Sequence, residues 1–417
     1  MVSCSRRKLE ADARRDVMSE LPANVKEMIL ERLPTHEAAR TSLLSTHWKD
    51  AWLRLGQLVF DSNFFTRVRK TKGYIDGKVP FVKIITYILL QRVGPVKKFT
   101  ICINSLIIFD GKLQQSDLDQ WYLFLSRNGV EELHISHHNP WERHYKLPFC
   151  IVLCPTIKQL RFQSLGFDCP IYAPSNFPCF SSLAFRSVVF NHNANGIVST
   201  LPNLEKLDFR YCQGICNFKI KAPKLESLSI TSTDTGPSFG VESRWFAPHL
   251  KAIKALCLEA SLLLWEEDVE VASFPTAINL QVIKLHSFDF ANEKQLMGVL
   301  QLLQKSPNLC ELDIKAECLD DDIEAFSRLL KDPDSCIINQ DLKMLKTIKI
   351  EQFCGCAIEM LFVKMLLSKS PILERVIIME SYYINDGYIV IKILRELLCF
   401  PRASPKAKIV IKGKVYL

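Results

Sequence analysis

His36 and Glu37 are the first residues whose order suggests chemistry, because a His-Glu pair opens many zinc-binding helices. The segment His36-Glu37-Ala38-Ala39-Arg40 lacks a second histidine four residues on, so one helix face cannot chelate a metal there. His134, His137, His138 and His144, with Cys150 and Cys154, gather further ligand-type residues in one stretch. Their spacing matches no metal-ligand pattern, and a loop after the strand Leu133-His134-Ile135 accounts for them. Asp320-Asp321-Asp322 reads as a polar helix start, its carboxylates suiting the positive end of the helix dipole. The 15 glycines are not clustered, so no phosphate-cradling loop is present. No Ser/His/Asp or Cys/His set follows from order alone. The expectation is a chain without intrinsic catalysis, cofactor or metal. Its work should be binding.

The elements that must do this binding begin at Leu21-Pro22. Val25, Met28, Ile29 and Leu33 recur at spacings of three and four, the period of a helix face. Pro34 ends that helix because it lacks the N–H the next turn needs. Thr35 is the expected N-cap of a second helix running to Leu43-Leu44, and Ser45 that of a third. On the third, Leu44, Trp48 and Trp52 fall four apart and Leu55 continues the stripe. Helices this short are marginal unless packed, and a module of roughly 40 residues rarely sustains its own core. The leftover apolar faces predict docking on another protein.

In order and spacing these residues resemble the F-box. The pattern runs Leu-Pro, a helix ending Ile-Leu-x-x-Leu-Pro, then Ala-Ala-Arg-Thr-Ser-Leu-Leu-Ser, then a Trp-bearing helix. The chain departs at His47, where Lys or Arg is usual, and at Val25-Lys26-Glu27, where a more apolar run is common. The resemblance implies that Leu21, Pro22, Ile29, Leu33, Pro34, Leu43, Leu44, Trp48 and Trp52 form a surface that docks on a Skp-type linker protein.

The rest of the chain repeats itself. The unit is apolar-x-x-apolar-x-apolar, with proline two residues before it in many copies. Examples are Pro155 before Ile157, Leu160 and Phe162, and Pro202 before Leu204, Leu207 and Phe209. Others are Pro223 before Leu225, Leu228 and Ile230, Pro307 before Leu309, Leu312 and Ile314, and Pro371 before Leu373, Val376 and Ile378. Copies without proline include Val96-Phe99-Ile101 and Leu345-Ile348-Ile350, and intervals are mostly 21 to 29 residues. Each unit predicts one short strand whose alternate residues point inward. Asp117–Leu125 reads as the clearest return helix. Pro248-His249-Leu250 sits three residues out of frame from Leu256-Cys257-Leu258, and the position where Asn usually closes such a turn is mostly something else. The pattern resembles an irregular plant leucine-rich repeat solenoid.

Residues 339–417 are similar to the FBD region that follows the repeats in many plant F-box proteins. The shared elements are Phe353-Cys354-Gly355 with Glu359, then Ser370-Pro371-Ile372-Leu373-Glu374, then Arg402-Ala403-Ser404-Pro405. They read as further strand–helix units capping the open end of the stack. The fold class expected is therefore α/β: a three-helix F-box at 16–61 after a flexible basic tail at 1–15, a leucine-rich repeat solenoid (horseshoe) at 62–338, and the FBD region at 339–417.

Bulk properties set the outer limits. A chain of 417 residues, 48% hydrophobic and 24% charged, exceeds one ordinary core and is not disordered in composition. Its start lacks the apolar core of a secretory signal, and its most apolar run, Ile84–Leu90, is far short of a membrane span. The odd count of 15 cysteines, without a Cys-x-x-Cys pair, fits reduced buried thiols. These features predict a soluble protein of the cytoplasm or nucleus.

Residues between the inward apolar ones should face a partner: Arg161, Asp208, Arg210, Lys284, His286, Asp313, Lys315, Lys349 and Glu351. Their mixed charge argues against a nucleic-acid groove. The resemblance implies a substrate-recognition adaptor of a Skp–cullin–F-box ubiquitin ligase, joined to a cullin–RING assembly through the linker and holding an unknown protein substrate. The alternatives are a small-molecule or inositol-phosphate sensor and a repeat scaffold outside any ligase.

Overall fold

A turn, a short strand and a return path recur through the computed structural model. It describes residues 17–71, 80–104, 113–137, 154–164, 179–190, 198–213, 219–231, 241–263, 275–317, 340–382 and 387–413, with a few isolated positions between them. The expected basic tail, His138, His144 and Asp320-Asp321-Asp322 lie outside the described residues. The chain divides into two compact units, residues 1–168 and 169–417, a division inside the expected repeat region.

The first unit opens with three helices: α1 (Ala23–Glu31), α2 (Thr35–Thr41) and α3 (Thr46–Arg54). Strands β1 (Gln57–Phe60), β2 (Lys98–Ile103), β3 (Glu132–His137) and β4 (Gln159–Gln163) follow, paired in that order and all parallel. Between them run α4 (Ser62–Thr71), α5 (Phe81–Leu90) and α6 (Gln115–Arg127). The expected return helix is α6. Its first turn is closed by Asp117, whose carboxylate accepts the Gln114 N–H at 2.9 Å, and Trp121 Nε1 donates to Thr86 on α5 at 2.9 Å.

The second unit pairs β5 (Ser182–Arg186), β6 (Lys206–Arg210), β7 (Ser227–Thr231), β8 (Ala255–Glu259), β9 (Val282–Phe288), β10 (Glu311–Ala316), β11 (Thr347–Phe353), β12 (Arg375–Glu380) and β13 (Lys408–Lys412), again parallel and in chain order. Its α-helical returns include α7 (Glu293–Gln304), α8 (Ala357–Lys369) and α9 (Gly387–Cys399). The register aligns the repeats residue for residue: Leu207 pairs with Leu228, Leu228 with Leu256, and Leu256 with Ile283. These inward residues are buried, so the ladder of apolar pairs is the core.

Three backbone devices explain the sequence pattern. The repeated proline is the second residue of a tight turn. The Leu204 N–H reaches Leu201 O at 3.2 Å around Pro202, and the same bond closes around Pro223, Pro307, Pro371 and Pro405. Next, the carbonyl just before most of the strands receives two N–H groups from the next repeat. Glu131 O accepts Lys158 N–H at 2.8 Å and Gln159 N–H at 3.0 Å, and Lys97, Ser181, Glu205, Glu226, Lys254, Gln281, Cys310 and Lys346 do likewise. Finally, Ser164, Ser187, Tyr211, Ser287 and Gln352 share positive φ values of 50–61° near the ends of their strands. That bend sends the following side chain inward, and Val188, Cys212, Phe288 and Phe353 are buried there. Those four occupy the position where asparagine was expected; Asn104 holds it in an earlier repeat and is buried.

The out-of-frame copy resolves differently from the sequence reading. Pro248-His249-Leu250 lies in a 3₁₀ helix, Val241–Lys251, and Ile253 supplies the first apolar residue of the repeat. His249 O accepts the N–H groups of Ala252 and Ile253, a turn that inserts the extra residues without shifting the strand. The frame is Ile253, Leu256, Leu258.

Candidate functional site

The helical trio is placed by its ends. Pro22 O accepts the N–H groups of Val25 and Lys26 at 3.1 Å, starting α1. Pro34 does the same for α2, accepting from Glu37 at 2.9 Å and Ala38 at 3.0 Å. Thr35, expected as that N-cap, is the first residue inside the helix. Its hydroxyl accepts the Val59 N–H at 2.8 Å and so ties α2 to the edge of β1. Ser45 caps α3 as expected, its Oγ accepting the Trp48 N–H. A further bond between Ser19 and Ser45 hydroxyls, 2.9 Å long, closes the trio.

Burial sorts the expected docking residues into two groups. Leu43 and Leu44 are 85% and 72% exposed, and Met28, Leu33, Pro22 and Pro34 are exposed as well. Leu21 and Ile29 are half-buried. Trp48 and Trp52 differ from the expectation of a presented surface: only 4% and 5% of them is exposed. Arg92 covers Trp52. Its guanidinium lies 4.3 Å from the ring centroid, Nη1 donates to Trp52 O at 2.6 Å, and Nε donates to Ile88 O at 3.0 Å. Burial pulls the Arg92 pKa down to about 10. The tryptophans therefore hold α3 to the unit rather than facing outward.

The sequence reading also missed Leu30, Lys26 and Ala38. Leu30 and Ala38 are fully buried, and Lys26 is sealed with its ammonium donating to Ser19 O at 2.6 Å. Period alone grouped Val25, Met28, Ile29 and Leu33 on one face without marking a core edge, and α1 turns its Lys26–Leu30 edge to the core. A lysine in that edge masks the periodic signal. Beside the exposed Leu33 lies a groove of ≈ 400 Å³ whose walls include Pro34, His36, Val59 and Phe64. His36 Nε2 stands 3.3 Å from Glu37 there.

The residues expected to face a substrate lie on the outward strand faces of two separate units. In the first, Arg161 is exposed on β4, in register with His134 of β3 and, through it, Thr100 of β2. With Lys98 and Glu132 they line a hollow of ≈ 260 Å³. Burial, then the charges of Arg161 and Lys98, hold the His134 pKa below its ordinary value.

In the second unit, Asp208 is held by Arg210 Nε at 3.0 and 3.2 Å. Lys284, Asp313 and Lys349 form one outward row across β9, β10 and β11, while Lys315 and Glu351 form the next. Lys349 lies 3.8 Å from Asp313 and also binds Glu351, and Lys284 stands 4.0 Å from Glu311. His286 pairs with Glu259 in register. Burial raises the Asp313 carboxyl despite Lys349, whereas the Glu351 hydrogen bond raises Lys349. The face is charged but largely self-compensated.

His137, one of the ligand-type residues, is buried with its ring 5.8 Å from Tyr145, while His134 faces the hollow. Among the described residues no three His, Cys, Asp or Glu side chains gather in a metal-binding group. No helix among them is long and apolar enough to cross a membrane.

A capped helical trio followed by in-register parallel repeats is the arrangement of an F-box joined to leucine-rich repeats. Comparison with known proteins agrees: residues 18–59 match the F-box domain, and residues 118–290 match the LRR repeats described from FBD-associated F-box protein At5g56370. The chain is 27% identical over 428 residues to F-box/FBD/LRR-repeat protein At1g13570 of Arabidopsis thaliana, covering 94% of this chain and 98% of that one. It is 21% identical over 462 residues to FBD-associated F-box protein At5g22730 of the same plant, covering 95% and 94%. F-box protein At1g80960, also from Arabidopsis thaliana, is 28% identical over 238 residues, covering 52% and 46%. Along nearly its whole length the chain is similar to plant F-box/FBD/LRR-repeat proteins.

Proposed function

We propose that this protein is the substrate-recognition adaptor of a Skp–cullin–F-box ubiquitin ligase. The observation that carries the reading is the pair Leu43 and Leu44, fully presented at the end of α2 while the tryptophans behind them are sealed. Two adjacent leucines in water are costly surface, on the order of 25 cal/mol per Å² of apolar area, and an anchor pair explains their retention. Residues 16–61 dock on a Skp-type linker through Leu43, Leu44, Leu33 and Met28, with Leu21, Pro22, Ile29 and Pro34 at the margin. Trp48 and Trp52 act from beneath, fixing α3. The repeats at 62–338 and the FBD region at 339–417 stack within each unit as turns of a solenoid and hold a protein substrate on their outward strand faces.

The chain itself performs no bond chemistry. It raises the local concentration of a substrate lysine near a ubiquitin-conjugating enzyme carried by other subunits. Co-purification with a Skp-type linker tests the first step. The wild-type chain should retain the linker, and the Leu43→Asp, Leu44→Asp variant should lose it while melting at the same temperature. Equal retention by both would refute the docking surface.

A further inference from the structure

The second unit ends on a strand unlike those before it. In β6 through β12 the two inward apolar residues are buried, but in β13 their equivalents, Ile409 and Ile411, are only half-buried. Val410, on the other face, is exposed. Strand β13 pairs with β12 along one edge, and among the described residues nothing pairs with the other. Its free N–H and C=O groups are a template for a further strand. The helix before it in the chain, α9, carries apolar surface of its own. Only Ile393 and Leu397 of this helix are buried, while Ile391, Leu394 and Leu398 are exposed at spacings of three and four, on one face.

The charges say what covers this end. Lys408 and Lys412 bracket β13, both exposed, and neither has an ion-pair partner among the described residues. A second copy of the chain is a poor occupant. Antiparallel pairing centred on Val410 sets Lys408 opposite Lys412, and parallel pairing in register sets each lysine against itself; like charges directly opposite are destabilising. On α9, Lys392 and Arg395 are exposed with one carboxylate, Glu396. We propose that the free edge of β13 and the apolar flank of α9 dock an extended segment of another protein, added as the next strand, with apolar residues at its centre and Asp or Glu at both ends. Main-chain bonds give the pairing, and the two lysines select the acidic flanks. The site is separate from the linker-docking leucines and stands whether or not those dock.

The probes are three fluorescent peptides with Gly-Ser ends, read by anisotropy against the full chain. Their cores are Glu-Ile-Val-Ile-Glu, Lys-Ile-Val-Ile-Lys, and the acidic core N-methylated at alternate residues. The acidic peptide should bind at least ten-fold more tightly than the other two, and its affinity should fall as salt rises. In the Lys408→Glu, Lys412→Glu variant the preference should reverse toward the lysine-flanked peptide, with the melting temperature kept. Equal binding of the acidic and basic peptides by the wild-type chain, binding that survives N-methylation, or self-association through β13 in sedimentation would each overturn the proposal.

Discussion

Gly355 and Glu359 show how a short motif becomes structure. Gly355 has φ +74°, and a methyl group added there would collide with Ile393 Cδ1 of α9. Glu359 accepts the N–H groups of Cys354 at 3.0 Å and Cys356 at 3.1 Å, capping its own helix while buried. Replacing Gly355 by alanine should cost about 2 kcal/mol through backbone strain alone. The Ile393→Ala change should recover the part due to the clash, a coupling visible in a double-mutant denaturation cycle. Burial raises the Glu359 pKa from the ordinary 4.5 to about 7. Between those values the folded chain keeps a proton that the unfolded chain releases, so stability falls as pH rises through that window and levels off above it. The loss should be on the order of 3 kcal/mol, and Glu359→Gln should flatten the slope in urea titrations across that range. The residues Phe353-Cys354-Gly355 and Glu359 were legible as a motif, but their purpose was not, because the clash partner Ile393 lies far along the chain.

At the scale of elements, the repeats were legible because proline has one physical role in them. At Pro202, Pro223, Pro307, Pro371 and Pro405 it occupies the same turn position, so its spacing marks the strands that follow. The positive-φ bend was hidden, since serine, tyrosine and glutamine carry no common signal for it. Ile253 was missed because the inserted 3₁₀ turn moved it away from the proline. In the helical trio the period grouped Met28 and Leu33 on one face, and only packing shows that Leu30 is the residue that goes inward. The two groups predict opposite outcomes. Leu30→Ala should destabilise the chain by about 3 kcal/mol, as core truncations do. The Leu43→Ala, Leu44→Ala variant should stay within about 0.5 kcal/mol of wild type in thermal unfolding and still fail to bind the linker.

Across the whole molecule, function divides between places built in different ways. The exposed leucines proposed to dock the linker belong to the first unit, where Trp52 is sealed under Arg92. The second unit offers a balanced charged face and an unfinished edge, each made by strand alternation. Amide hydrogen exchange on the full chain, with and without a Skp-type linker, tests the central claim most directly. Protection should rise along α1 and α2, from Met28 to Leu44, and stay unchanged on β5 through β13. Protection confined to the strands, or no change in the helices at linker concentrations that saturate a known F-box, would contradict the account.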